Sequence, residues 1–233
     1  MNNRVGIYYA YWERNWDADF LPYVSKVKKL GFDTLEVNAG TLHGMAEKDL
    51  DTLGKAAKDE GIGLTSCVGL TANLDPASPE KETRRAGVNF LKDIIDKVHV
   101  AGIDRISGII YGAWPGTLPF GEDKQGYVDR SVESLKEVAK KAEDAEVTLN
   151  VEVVNRFHLG ENDRRPPGVG NLPWKDIFSS LKKIGFQGDI VMEPFLVPGG
   201  EVGRDIRVFR DLRGDKDMDQ QAAEAAAFVK SFL

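Results

Sequence analysis

The chain has 233 residues, with 31 Lys and Arg residues against 37 Asp and Glu residues and a formal charge of -6 at pH 7. This length suits one sizeable domain, and the negative charge offers nucleic acid no general attraction. A single cysteine excludes an intramolecular disulfide framework, no basic apolar signal segment opens the chain, and no apolar run approaches the roughly 20 residues that span a bilayer. We therefore expect one domain over residues 1–233, in a reducing cytoplasm, without nucleic-acid or membrane partners.

The first half of the chain alternates strand patterns with amphipathic helix patterns. Val5–Tyr11 is a continuous apolar run, typical of a strand that is buried on both faces. In chain order, the next predicted elements are a helix over Asp19–Leu30, a strand over Thr34–Asn38, a helix over Leu50–Glu60, a strand over Leu64–Leu70, a long helix beginning at Pro79 with Ser78 as its N-cap, and a strand over Ile106–Tyr111. Glycines predict the ends of these helices: Gly31, Gly61 and Gly102.

The second half continues the same alternation. Its predicted elements are a helix over Tyr127–Ala145, a strand over Thr148–Val154, a helix over Trp174–Ile184 that Gly185 ends, a strand over Asp189–Glu193 and a closing helix over Met218–Leu233. Alternating strands and helices predict an α/β fold with a parallel sheet and helical crossovers. No glycine-rich phosphate-binding motif follows the first strand, which disfavours a doubly wound nucleotide-binding fold and favours a (β/α)8 TIM barrel.

The number of strands does not fit a complete barrel. A (β/α)8 barrel needs eight strands in a typical chain of about 250 residues, and the pattern supplies six. Residues 155–173 carry neither a helix nor a strand pattern, and so long a loop is unusual inside a compact domain. We expect something irregular between Phe157 and Trp174.

The stretch Asn150–Gly168 (NVEVVNRFHLGENDRRPPG) concentrates the side chains that could carry chemistry. Glu152 lies in an apolar strand pattern, and Glu193 repeats this arrangement in VMEP at the end of the last predicted strand. A carboxylate buried among apolar side chains is costly unless it is paired or binds a metal, so both are candidates for function. The alternative is that each forms a salt bridge with a neighbouring arginine.

His158 is the histidine best placed for chemistry, because Glu161 and two arginines follow it closely. The other two, His43 and His99, fall in a loop and inside a long helix and are interpreted as surface or packing residues. An imidazole among carboxylates suits Mn2+, Mg2+ or Co2+ better than a structural zinc site. Cys67 is alone, and we favour a packing role for it, with pocket lining as the alternative.

Four aromatic residues fall at or just beyond the predicted strand ends. They are Tyr8, Trp16, Trp114 and Phe195. Barrel enzymes form their substrate sites at the carboxyl ends of the strands, where aromatic faces can pack on the carbons of a small ligand such as a sugar. Packing in the core or at the rim is the alternative interpretation.

Several motifs in one order resemble the ketose 3-epimerases, the D-tagatose and D-allulose (psicose) 3-epimerase family. They are VEVVNRF, HLGENDRRPPG, LPW, VMEPF and FRDL, with GIYYAYW, CVGL, DPASP and AWPG extending the likeness over nearly the whole chain. The resemblance implies a (β/α)8 barrel of the xylose isomerase-like superfamily with one divalent metal ion, Mn2+ or Co2+ with Mg2+ also possible. It also implies a homodimer or a homotetramer.

The resemblance assigns roles to matching positions. Glu152, His158 and Glu193 correspond to metal ligands, and Arg164 corresponds to a residue that contacts the sugar. The apolar pocket around the ketose corresponds to Tyr8, Trp16, Trp114 and Phe195, and Cys67 is kept with these candidate substrate-binding residues.

The chain departs from the family directly after NRF. In the family, a glutamate, a helix, a strand that supplies an aspartate ligand, a second helix and a further strand precede the histidine, whereas here Phe157 is followed at once by His158. About two βα units are therefore absent. Either residues are missing between Phe157 and His158 in the sequence as written, or the deletion is genuine. We favour the first explanation, because removing two central strands would expose the core and leave strand edges unpaired.

Epimerisation next to a ketone removes a proton from one face of a carbon and returns one to the other face. Two carboxylates can do this, so we expect Glu152 and Glu193 to act as acid and base through a cis-enediolate, with a metal stabilising the developing charge. Three alternatives remain: another sugar isomerase of the superfamily, an inosose dehydratase, and, if the deletion is genuine, a non-catalytic sugar-binding or assembly protein.

Overall fold

The structure is a computed structural model that describes residues 3–116, 118, 121, 123–152 and 157–233. The strands in these residues are β1 (Val5–Tyr8), β2 (Thr34–Asn38), β3 (Gly63–Leu70), β4 (Arg105–Ala113), β5 (Thr148–Val151), β6 (Phe157–Leu159) and β7 (Ile190–Met192). The helices are α1 (Leu21–Lys29), α2 (Ala39–Gly44), α3 (Glu47–Glu60), α4 (Lys81–Val100), α5 (Lys124–Asp144), α6 (Trp174–Lys183), α7 (Gly200–Asp205) and α8 (Met218–Lys230). None of the helices described is both long and apolar enough to cross a membrane.

The first of two compact units comprises Met1–Val37, Lys55–Leu64 and Arg156–Leu233. Its strands pair in parallel in the order β2-β1-β7-β6. Most of the strand side chains are apolar and buried, as expected when both faces of a parallel sheet are covered; they include Val5, Ile7, Leu35, Val37, Ile190, Val191 and Met192. Because all strands run the same way, their carboxyl ends lie along one edge of this sheet.

The second unit comprises Asn38–Gly54 and Thr65–Asn155. Here β3, β4 and β5 pair in parallel, and α4 and α5 pack together. The apolar stripe that predicts the long helix is the buried face of α4, with Leu91, Ile94, Ile95 and Val98 fully buried. The alternation of strands and helices in both units confirms the α/β class. The expectation of a single domain stays a prediction.

Helix ends follow the glycine predictions, whereas the start of α4 does not. Each predicted stop glycine has a positive φ: Gly31, Gly61, Gly102 and Gly185. α4 begins at Lys81, two residues after Pro79. The hydroxyl of Ser78 accepts from the Glu80 N–H at 3.2 Å, and the Arg84 guanidinium donates to the carbonyls of Ser78 and Pro79, each at 2.8 Å. The Ser78 cap prediction is wrong because the N-cap is Glu80, whose carbonyl accepts from the Arg84 N–H at 3.1 Å, whereas the carbonyls of Ser78 and Pro79 accept from the Arg84 side chain.

One strand lies where the sequence shows no pattern. β6 pairs with β7 in regular register, with Phe157 opposite Ile190 and His158 opposite Val191. Phe157 and His158 are therefore consecutive residues of one strand. Phe157 thus groups with the C-terminal strands. The predicted fifth strand ends at Val151, and its last two predicted residues, 153 and 154, lie outside the described residues.

Gly108 in β4 is expected to tolerate no side chain. Its φ is +115°, and a Cβ built there would lie 2.3 Å from the carbonyl oxygen of Val68 on the paired strand. Overpacking and backbone strain therefore act together, and Gly108→Ala should lower the free energy of unfolding by about 2 kcal/mol. Urea denaturation measures the change. Gly44→Ala is the control, because no atom lies within 4 Å of its added Cβ; equal losses in both variants would contradict the prediction.

Candidate active site

The carboxyl ends of the strands in the first unit bring several predicted site residues together. Tyr8, the last residue of β1, pairs with Glu36 of β2. On the other side of β1, Glu193 follows the last residue of β7, and its N–H donates to the Leu159 carbonyl of β6 at 2.8 Å. His158 precedes Leu159 on that strand. The parallel register therefore places the histidine and the carboxylates on one edge of the sheet.

His158 lies between two carboxylates. Its Nε2 atom is 3.0 Å from Oε2 of Glu36, and its Nδ1 atom is 3.4 Å from Oε2 of Glu193. Glu36 is fully buried, whereas about a quarter of the Glu193 side chain is exposed. The first distance is that of a hydrogen bond; the second exceeds the 2.7–2.9 Å typical of a charge-assisted one.

The pair of His158 and Glu193 is compatible with a shared cation. Two ligand atoms bonded to one ion at about 2.0–2.2 Å lie roughly 3.0–3.5 Å apart, a range that includes the 3.4 Å found here. An imidazole and a carboxylate also suit a divalent cation such as Mn2+. Among the residues that the structure describes, no group of three or more His, Cys, Asp or Glu side chains is arranged to hold a metal ion. The metal site therefore stays a prediction.

Three predicted pocket aromatics form one cluster in the first unit. The Tyr8 ring centroid is 6.5 Å from that of Trp16 and 6.4 Å from that of Phe195. Trp16 is held by its indole N–H, which donates to Asp205 at 2.9 Å, and by its carbonyl, which accepts from the hydroxyl of Tyr9. Tyr8 and Phe195 are buried, and Trp16 is partly exposed. The cluster is thus an apolar wall with one accessible member.

The loop after β6 is organised by Glu161. This carboxylate is 5% exposed and accepts hydrogen bonds from the N–H groups of Gly168 at 2.9 Å and Leu172 at 3.3 Å and from the indole N–H of Trp174 at 2.8 Å. Glu161 was grouped with His158 on sequence proximity, but its carboxylate is occupied in holding the loop. Its role in the described structure is architectural.

Arg164 connects this loop to the segment after β7. Its backbone adopts a positive φ of 72°, and its carbonyl accepts from the Phe195 N–H at 2.9 Å. The residue itself is exposed. The loop geometry therefore couples the position of Arg164 to that of a predicted pocket aromatic.

The remaining candidates lie in the second unit. Cys67 is a buried residue of β3, consistent with packing. The Trp114 ring covers the backbone of Gly69, and the Trp114 N–H donates to the Leu70 carbonyl at 2.6 Å. Glu152 follows the end of β5, its N–H donates to the Gly108 carbonyl at 3.1 Å, and it is exposed. The expectation that Glu152 is buried in a strand interior is wrong, because β5 ends one residue before it.

Comparison with known proteins connects this architecture to a family. Residues 24–161 match the xylose isomerase-like TIM barrel family. The D-psicose 3-epimerase of Agrobacterium fabrum is 34% identical over 284 residues, covering 98% of this chain and 98% of that protein. The D-psicose 3-epimerase of Ruminiclostridium cellulolyticum is 33% identical, covering 98% and 97%. The chain belongs to the ketose 3-epimerase family.

Solved structures of this family have the same fold. The D-psicose 3-epimerase of Clostridium cellulolyticum H10 with D-tagatose has a TM-score of 0.93 at 32% identity, covering 99% of both chains. A D-psicose 3-epimerase in the presence of D-fructose gives the same values. The predicted xylose isomerase-like TIM barrel fold and the resemblance stated from the motifs are both confirmed.

The chain is shorter than its ketose 3-epimerase relatives. The alignment with the Agrobacterium fabrum protein runs over 284 positions, and a chain of 233 residues leaves at least 51 of them (284 less 233) opposite gaps. This shortfall agrees with the predicted absence of about two βα units.

Sequence reasoning gave no function to Glu36, the carboxylate that contacts His158. The signal was present, because Glu36 stands among apolar residues in TLEVN just as Glu152 stands in VEVV. What the sequence does not contain is the partner, since 122 positions separate Glu36 from His158. Sheet pairing through β1 and β7 brings the two residues together.

Proposed function

We propose that this protein is an isomerase that epimerises free ketoses at C3, such as D-fructose to D-allulose or D-tagatose to D-sorbose. The observation that carries the proposal is the pair formed by His158 and Glu193 at the carboxyl ends of β6 and β7, beside the aromatic cluster of the first unit. Relatives that match nearly the full chain are D-psicose 3-epimerases, which supports the same reaction class.

The reaction needs proton transfer on both faces of C3. In the proposed mechanism, Glu152 and Glu193 each serve one face, one removing the C3 proton and the other returning a proton to the opposite face of the cis-enediolate. A carboxylate suits both roles because it accepts a proton and then donates it. Glu193 is partly exposed at the strand end, so a substrate can reach it.

The proposed cofactor is one divalent metal ion, Mn2+ or Co2+ with Mg2+ also possible, which would stabilise the negative charge that develops on the sugar oxygens. Glu152, His158 and Glu193 would hold it. Substrate carbons would pack on Tyr8, Trp16 and Phe195, with Trp114 and Cys67 as the candidates from the second unit and Arg164 donating to sugar hydroxyls. These assignments follow the motifs and the donor chemistry of the residues.

Incubation with Mn2+ and D-fructose is expected to give D-allulose, measured by liquid chromatography. Treatment with EDTA should remove at least about 90% of the activity, and added Mn2+ should restore it, because in the proposed mechanism the metal ion stabilises the charge that develops on the sugar oxygens. Product formation at an unchanged rate after EDTA treatment and dialysis would contradict the metal dependence. Absence of product from every ketohexose and ketopentose tested would contradict the epimerase proposal.

The length difference favours a second candidate, a sugar-binding or assembly protein without turnover. By the resemblance stated from the motifs, the family's aspartate ligand and a glutamate fall in the segment that this chain lacks. Calorimetric binding of D-tagatose without conversion would support this candidate. Another sugar isomerase activity, or an inosose dehydratase activity, would appear as conversion of an aldose or an inosose in the same assay. A homodimer or homotetramer, and a location in the cytoplasm, stay predictions.

A further inference from the structure

Glu36 is a fully buried carboxylate that the proposed reaction does not use. It lies in β2 between two buried apolar residues, Leu35 and Val37, and has no exposed surface. Burying a carboxylate is costly unless its oxygens are hydrogen-bonded or paired. An apolar residue at this position would avoid the free-energy cost of burying a charge. The presence of a carboxylate therefore indicates that it interacts with a specific partner.

That partner is the Nε2 atom of His158, 3.0 Å from Oε2 of Glu36. An ionised carboxylate can only accept a hydrogen bond, so a hydrogen bond to ionised Glu36 requires a ring that carries a proton on Nε2. The other ring nitrogen, Nδ1, then faces Glu193 at 3.4 Å. Buried Glu36 therefore contacts one nitrogen of the His158 ring, Nε2. The other nitrogen, Nδ1, faces Glu193, which is partly exposed.

We propose that Glu36 is a positioning residue, whose carboxylate accepts the Nε2–H of His158 and fixes the ring so that Nδ1 is presented beside Glu193 as a ligand nitrogen. Metal-bound histidines generally donate their other ring N–H to such an acceptor, and loss of the acceptor lowers metal affinity about 10- to 100-fold. The inference deepens the proposed function and rests on it for the ligand role of His158, whereas the orientation of the ring rests on the Glu36 contact alone.

The sheet makes Glu36 suitable for this role. Its backbone is fixed by pairing with Tyr8 on β1, and His158 is fixed by pairing with Val191 on β7. Both strands belong to the same sheet, so neither end of the contact depends on a loop. A rigid acceptor of this kind limits rotation of the imidazole about its Cβ–Cγ bond, and Nδ1 stays aimed at Glu193.

The test uses Glu36→Gln in the full-length chain, with two readouts. The first is the ring Nε2–H signal of His158 in metal-free protein labelled with ¹⁵N-histidine, assigned by its loss in His158→Gln. We expect a slowly exchanging signal in the wild type that is lost or strongly shifted in Glu36→Gln. The second is Mn2+ affinity by electron paramagnetic resonance, expected to fall about 10- to 100-fold.

Asp189→Asn is the matched control. Asp189 is also a buried carboxylate of the first unit, and its partner is the Arg4 guanidinium at 2.8 Å. A similar loss of melting temperature in both variants, with the His158 signal and Mn2+ affinity changed only in Glu36→Gln, supports positioning. An unchanged signal in Glu36→Gln overturns it.

The two proposals fail separately. If Glu36→Gln does not fold, the wild-type protein still decides, because a rapidly exchanging or absent His158 Nε2–H signal overturns the inference. If the wild type shows the signal and responds to Glu36→Gln but forms no product from any ketose, the positioning of His158 stands and the epimerase proposal fails. If the protein epimerises a ketose but shows no slowly exchanging Nε2–H signal from His158, the epimerase proposal stands and the positioning inference fails.

Discussion

Glu193→Gln is expected to lose C3 epimerisation of D-fructose, with turnover lower by at least about a thousandfold, within the range that one positioned acid or base contributes. Glutamine keeps the size of the side chain but cannot accept and return the proton. Glu152→Gln should lose turnover to a similar extent, because each face of C3 needs its own group. Liquid chromatography of D-allulose formed with Mn2+ present measures both effects.

Exchange of the C3 proton for deuterium in D2O shows which face of C3 each glutamate serves. A variant that keeps one competent carboxylate can still remove and return the proton on that face, so C3 deuterium should enter one epimer without formation of the other. Glu224→Gln is the control, because Glu224 is a surface carboxylate of α8 paired with Lys216. Near-normal turnover in both Glu152→Gln and Glu193→Gln would refute the two-carboxylate mechanism.

Elements with strong local signals could be predicted from the sequence. β2 is found at its predicted bounds, since TLEVN is a short apolar run between clear helix patterns. α6 and α8 begin at their predicted residues, Trp174 and Met218. The boundaries of these elements were predicted correctly where the hydrophobic pattern and the turn-forming or helix-ending residues indicated the same position.

Short elements that depend on tertiary pairing were missed. β6 has three residues, too few for any periodicity, and its strand geometry comes from hydrogen bonding to β7. α2 and α7 have six residues each, less than two full turns. β1 ends at Tyr8 because a 3-10 turn follows over Tyr9–Tyr11, which an apolar run does not distinguish from a strand.

The candidate site was predictable as a list of residues but not as a set of contacts. His158 and Glu193 were both identified, and the structure brings them to 3.4 Å. The sequence could not show that Glu36 stands on the other side of the ring, because that contact depends on strand order. It also could not separate Glu161, which holds a loop, from a ligand, because a buried carboxylate gives the same local pattern in both roles.

Glu161→Ala is expected to lower the free energy of unfolding by about 3 kcal/mol. The substitution leaves three donors without their acceptor: the N–H groups of Gly168 and Leu172 and the indole of Trp174. A buried donor left unsatisfied costs about 1–3 kcal/mol, and the three losses are not fully additive because the loop can relax. Urea denaturation followed by Trp fluorescence measures the change.

Asp163→Ala is the matched control from the same loop. Its carboxylate bonds the side chain and the N–H of Arg165, at 2.7 and 3.2 Å, in a half-exposed setting. Solvent screening there limits the expected loss to at most about 1 kcal/mol. Because the Arg164 carbonyl holds the Phe195 N–H, Glu161→Ala should also raise KM for the ketose more than Asp163→Ala does. Equal stability losses in the two variants would show that Glu161 does not organise the loop.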